Sequence, residues 1–289
     1  MYLNLNPRTM GMNRYSFNEV LGAAVRSGFQ GIEVPAHAFG SIEKAKEQGK
    51  RLRDMGMQWG LMMAPCDMFL VGEEEFSSAL AQWARWLERA KAAGCSRAYN
   101  HIWPGSDEKT YEENFIWHHN RLKRIYHIMK ENGIQYGLEY QGLSTIHHTF
   151  RYPFIDSLAG AMALADSVDR EIGFVFDGIH WYTSRGGENE FYLFLQNIKR
   201  VVNLHLDDVC INPSSSTHIF KERAMPNENK IIDSTFIVKK FYEYGYDGPV
   251  IVEPMSPTTE RFEKMGPYQA AMEAALCLKQ ICKEAGVFI

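Results

Sequence analysis

A chain of 289 residues with 45% apolar content can bury a large core, as one α/β barrel or as two smaller domains, and is too apolar to stay disordered. A formal net charge of −4, with no block of Lys or Arg long enough to track phosphates, speaks against a nucleic-acid partner. The start MYLNLNPRTM lacks the parts of a secretory signal, no window offers about 18 uninterrupted apolar residues, and Cys66, Cys95, Cys210, Cys277 and Cys282 form no CxxC pair. A cytoplasmic protein without membrane contact, disulfide framework or thiolate zinc site is therefore expected.

Along the chain, short runs rich in Val, Ile, Leu and aromatics alternate with longer amphipathic stretches. YLNLN (2–6) is followed by the helical SFNEVLGAAVRSG, then come GIEVP (31–35) and QWGLMMA (58–64). The helical FSSALAQWARWLERAKAAG leads to SRAYNHI (96–102), and NFIWHHNRLKRIYHIMKENG leads to QYGLEYQ (135–141). IGFVFDG (172–178) and VVNLHLD (201–207) follow, and the helical DSTFIVKKFYEYG precedes PVIVEP (249–254). Several helices close on the Gly expected just past a C-terminus. Eight strands alternating with helices predict a single (β/α)8 barrel over residues 1–289. A doubly wound sheet is the other possibility, but no GxGxxG or GxxxxGK[ST] opens any helix.

In such a barrel reactive groups sit at the C-terminal strand ends. Glu139 in GLEYQG, Asp177 in FVFDGIH, His205 in NLHLDD and Glu253 in VIVEP each end an apolar run. One acid there is ordinarily a helix N-cap or a loop residue; ligands on four successive strands, the fifth to the eighth, call for another reason. Three crowded carboxylates repel, and a divalent cation held by them and an imidazole is the natural compensation. Oxygen and imidazole without thiolate favour Mn²⁺, with Mg²⁺, Co²⁺ or Zn²⁺ as alternatives. Trp103 and Trp181 follow strand ends and are placed at the pocket wall, whereas Trp83, Trp86 and Trp117 read as core or subunit interface. His118, His119 and His127, on a helix outside the rim, read as packed or solvated.

These pieces together, GLEYQG, the D-x-x-H of Asp177 and His180, the H-x-x-D of His205 and Asp208, and GPVIVEP with Glu253, resemble the xylose-isomerase-like barrel superfamily. That group includes ketose 3-epimerases, hydroxypyruvate isomerases, inosose dehydratases and endonuclease IV. The resemblance implies that Glu139, Asp177, His205 and Glu253 hold the metal and that Glu139 and Glu253 also move the proton. It further implies that His180 and Arg223 meet substrate oxygens. His101 reads either as a pocket residue or as a hydrogen-bonded rim histidine.

The chemistry fits those residue types. A carbon acid next to a carbonyl is too weak for an unaided carboxylate, a metal stabilises the enediolate, and two opposed glutamates can remove and return the proton. The expected activity is isomerisation or epimerisation of a keto-sugar or related polyol ketone, in a homodimer or homotetramer. A lyase or dehydratase on a keto-sugar, keto-glycoside or keto-inositol is the alternative, and a noncatalytic sugar-binding barrel the reading from another class. Two departures bear on substrate: EYQGLST replaces the family's E-P-x-N-x-x-E, with His147 or His148 as candidate substitutes, and RAMPNEN replaces R-x-x-P-G-x-G, where Asn227 and Asn229 tolerate left-handed backbone.

Overall fold

The computed structural model describes residues 1–35, 38–142, 149–184, 186–211 and 222–289. The large sheet is built from β1 (Tyr2–Leu5), β2 (Gly31–Ile32), β3 (Gln58–Trp59), β4 (Leu61–Met63), β5 (Arg97–Ile102), β6 (Gln135–Tyr140), β7 (Gly173–Asp177), β8 (Val201–Leu206) and β9 (Pro249–Val252). Every pairing within it is parallel, and β1 joins β9, so the order runs β3-β2-β1-β9-β8-β7-β6-β5-β4. β3 and β4 are the two halves of the run QWGLMMA; one pairs with β2 and the other with β5, which closes the ring. The chain is a (β/α)8 barrel.

The break in the third strand falls at a close approach. The Asn4 side chain lies against Gly60, where an added Cβ would stand 2.4 Å from its amide nitrogen. Only glycine admits that approach. The Gly60 N–H nevertheless donates to the Ile32 carbonyl at 2.8 Å, so the ladder passes through the irregularity.

Helix boundaries follow their caps. Phe17–Ser27 starts at Ser16, whose hydroxyl accepts from the Glu19 N–H while the Glu19 carboxylate returns to the Ser16 N–H, and Gly28 closes it in the left-handed region. Two helices begin earlier than their apolar periodicity suggests. Glu73–Ala93 opens on Glu73, Glu74 and Glu75, which suit the positive end of the helix dipole, and Tyr111–Glu131 opens at the capping pair Thr110 and Glu113.

Between strands and helices the core is dense in aromatics: Phe176 is fully buried among Phe191, Phe194 and Phe241. Trp83 lies edge-on to Tyr136, and Trp117 donates to the Phe69 carbonyl under the Arg121 guanidinium, so both serve packing. A separate apolar cluster of Leu61, Tyr99, Val175 and Val202 comes from strand positions alternating with the outer core, which places it inside the ring. Among the described residues no helix is long and apolar enough to cross a membrane.

Truncating Phe176 to Ala should cost about 3–5 kcal/mol, the range for a large buried aromatic. A urea-unfolding midpoint that barely moves would show that the ring does not bear on the fold's stability.

Candidate functional site

Glu139 lies in β6, Asp177 ends β7, His205 lies in β8 and Glu253 directly follows β9. The parallel register brings them together: Asp177 is the ladder partner of His205, and the Glu253 N–H donates to the Leu206 carbonyl at 2.7 Å. His205 Nδ1 stands 3.0 Å from Glu253 Oε2, 3.3 Å from Glu139 Oε1 and 3.8 Å from Asp177 Oδ2. One ligand atom from each of the four lies within 4.8 Å of the others, and all four residues are buried.

Each group is fixed by a neighbour. Asp177 uses one oxygen to cap the short helix Gly178–Thr183, accepting from the His180 N–H at 2.8 Å, and turns the other toward His205. The same carboxylate is therefore both N-cap and cluster member. His205 Nε2 is engaged by the Asn203 side-chain amide at 2.9 Å, which leaves Nδ1 for the carboxylates. His101, the ladder partner of Glu139, holds Glu139 Oε2 at 3.1 Å through Nε2. Gly142 lets the chain leaving β6 pass close to His180, whose carbonyl oxygen an added Cβ would meet at 1.9 Å.

Arg223 arrives from a second layer. The strands Asp208–Val209, Glu222–Ala224 and Ser256–Pro257 form a small sheet on the rim, and Arg223 sits at its centre opposite Val209 and Pro257. From there its Nη1 donates to Asp177 at 2.8 Å, Asp207 at 2.9 Å and Glu253 at 3.0 Å, while Nη2 stands 3.3 Å from His180 Nε2. Asp208 has a structural part, accepting from the N–H groups of Val209, Asn229, Ile231 and Ile232. That loop takes left-handed backbone at Asn227 and at Lys230, in place of Asn229.

The two tryptophans assigned to the pocket have partners of their own. Trp103 Nε1 donates to Asp67 Oδ2 at 2.5 Å, and Trp181 packs on Phe176 and Phe191 while donating to the Gly187 carbonyl. His118 is buried between Phe69 and Phe154 with Nδ1 on the Asn114 carbonyl, a packed position. His147 and His148 lie outside the described residues. Asp207 and Glu33 were missed from sequence. Both carried the signal used for the others, an acid ending an apolar run, in HLDD and in GIEVP.

A family model described as xylose isomerase-like TIM barrel matches residues 21–281. The chain belongs to this family. Among solved structures, a xylose isomerase domain protein from Alicyclobacillus acidocaldarius subsp. acidocaldarius is 22% identical, with TM-score 0.79 and 99% of each chain covered. The IOLI protein with a bound zinc atom is 17% identical, with TM-score 0.77, covering 98% of this chain and 99% of that one. D-Psicose 3-epimerase from Clostridium cellulolyticum H10, solved with D-tagatose, is 13% identical, with TM-score 0.72 and 99% of each covered. At these identities the likeness is one of fold. No curated protein matches significantly.

In this xylose isomerase-like barrel the electrostatics of the cluster are those of compensated crowding. Burial opposes the charge on His205, yet Glu253 and Glu139 hold its pKa well above the usual imidazole value. Burial likewise opposes ionisation of Glu139, but His205 and a hydrogen bond from His101 hold it far below the carboxylate range. Asp177 is kept low against its burial chiefly by Arg223. Asp207 goes the other way, raised by burial and by Asp177, and burial brings His180 down to about 4. Three carboxylate oxygens and one imidazole nitrogen, converging and already fixed from behind, form a donor set suited to a hard or borderline divalent ion.

A cation at His205 Nδ1 must displace the proton that the carboxylates stabilise there. Loading Mn²⁺ at neutral pH should therefore release about one proton per ion, and affinity should rise with pH. Calorimetry in buffers of different ionisation enthalpy reads this directly; buffer-independent heats would contradict it. Asn203→Ala, which frees the ring from behind, should weaken Mn²⁺ binding about 10–100-fold.

Proposed function

We propose that this chain is a divalent-metal-dependent isomerase or epimerase acting on a keto-sugar or related polyol ketone. Glu139, Asp177, His205 and Glu253 would hold the ion, and Glu139 and Glu253 would be the proton-moving groups. The observation that carries this reading is the placement of the two glutamates, which reach His205 Nδ1 from different strands at 3.3 and 3.0 Å. In the ring β7 and β8 separate the strands that carry the two glutamates, and on this reading their carboxylates flank the reacting carbon.

The ion, when bound, supplies Lewis acidity that lowers the cost of negative charge on the substrate's carbonyl and adjacent hydroxyl oxygens. Mn²⁺ is the first choice for this donor set, and the zinc atom of the IOLI protein supports Zn²⁺ as the alternative. The remaining steps belong to side chains. Glu139, ionised and steadied by His101, is suited to accept a proton from the carbon beside the carbonyl. Glu253, steadied by Arg223, is suited to return one. His180 presents a neutral ring with buried Nδ1 outside the contacts already described, which suits it to a substrate oxygen. Arg223 supports this arrangement from behind, tying His180 to the carboxylates. The likeness to D-psicose 3-epimerase supports a ketose or a relative of one as substrate.

Incubation of the metal-loaded protein with keto-sugars in deuterated water tests the proton step. Wild type should wash deuterium into the carbon next to the carbonyl. Glu139→Gln and Glu253→Gln should each lose net turnover by about 10²–10⁴-fold, while one of them still permits slow uptake from the surviving face. Release of a β-substituent, with only one glutamate required, would make the protein a lyase instead. No exchange with any keto-sugar that binds would leave a binding protein.

A further inference from the structure

Beside the cluster lies a cavity of about 470 Å³ that the reading above does not use. Its volume is in the range of sites for drug-sized ligands, roughly 300–1,000 Å³, and exceeds what a lone sugar ring fills. It adjoins the cluster through Tyr99, whose ring lies 5.4 Å from that of His101 and 5.9 Å from that of His205. Glu33 and Arg8 share this junction. The rest of the lining is mainly apolar, with Met12, Tyr15, Phe17, Met63 and Trp86 alongside the polar Asn13 and Gln82. Trp86 is braced by a stacked Phe39, and Phe17 by a stacked Trp59, so these rings are held in place.

We propose that this cavity is an aglycone pocket: the substrate is a glycoside whose apolar, aromatic-sized substituent packs on Tyr15, Phe17, Met63 and Trp86, while sugar oxygens meet Arg8 and Glu33 at the junction. The sugar part rests on the isomerase reading; the pocket itself does not. Arg8 and Glu33 in a lining that is otherwise mainly apolar match an amphipathic ligand. Glu33 is steadied by Asn4, which donates to its Oε1 at 2.6 Å. Burial pushes its pKa up to about 8, so near neutral pH it is a carboxylic acid able to donate to a sugar oxygen. Burial opposes the charge on Arg8, but Glu253 and Glu139 favour it, so that charge is answered without an anionic substrate.

The test is calorimetric binding of three unreactive probes, 4-nitrophenyl β-D-glucopyranoside, methyl β-D-glucopyranoside and glucose 6-phosphate, with Mn²⁺ and after chelation. The nitrophenyl glucoside should bind at least tenfold tighter than the methyl glucoside under both conditions. Met63→Glu, a change at an exposed wall position, and Trp86→Ala should each erase that preference while Mn²⁺ affinity stays at the wild-type value. Equal affinity for the two glucosides, tighter binding of the phosphate, or a preference untouched by both variants overturns the proposal. The two readings fail separately. Absence of keto-sugar turnover with the nitrophenyl preference intact removes the isomerase and keeps the pocket, and turnover without the preference does the reverse.

Discussion

Repulsion among Glu139, Asp177 and Glu253 is the constraint on which the rim of this barrel depends. Their oxygens converge within a few ångströms, out of contact with water, where like charges interact far more strongly than at a surface. Two buried cations answer them, the imidazolium of His205 from inside the ring and the Arg223 guanidinium from the rim sheet. Burial and Asp177 raise the pKa of Asp207, which eases the same crowding. A buried network of this kind stabilises little for its size, since desolvation offsets much of the attraction. What it secures is an arrangement of converging oxygens that could trade a proton for a metal ion.

The barrel supplies that convergence through register. Glu139 neighbours His101, and Asp177 neighbours His205, because parallel strands pair residue against residue at their C-terminal ends. Side chains pointing inward at one level then meet without long loops having to carry them. Below them Tyr99, Val175, Val202 and Leu61 fill the ring, so the polar level rests on an apolar floor. The three short strands of the rim sheet bring Arg223 against the acids, a placement that depends on segments far apart in sequence.

Much of this was legible from the chain. The eight apolar runs, their alternation with helices, and acids or histidine ending the fifth to eighth runs follow from periodicity and strand-end position. Other features depend on three-dimensional neighbours. The split at Gly60 falls where the Asn4 side chain approaches, and the helices start at Glu73 and Tyr111, ahead of the apolar pattern. Trp181 follows a strand end as a pocket residue would, and its packing on Phe176 and Phe191 is seen only in the folded chain. Glu33 obeyed the same rule as Glu139 but stood alone on its side of the ring, and only the folded chain shows it beside Tyr99 and Arg8 at a cavity.

The central claim is that one divalent ion sits among three carboxylates and a single imidazole. Electron spin-echo spectroscopy of the Mn²⁺-loaded protein tests it most directly. One ion per chain should show coupling to one histidine nitrogen, and that coupling should vanish in His205→Gln. Couplings to two nitrogens, none at all, or a signal that survives the substitution would contradict the account.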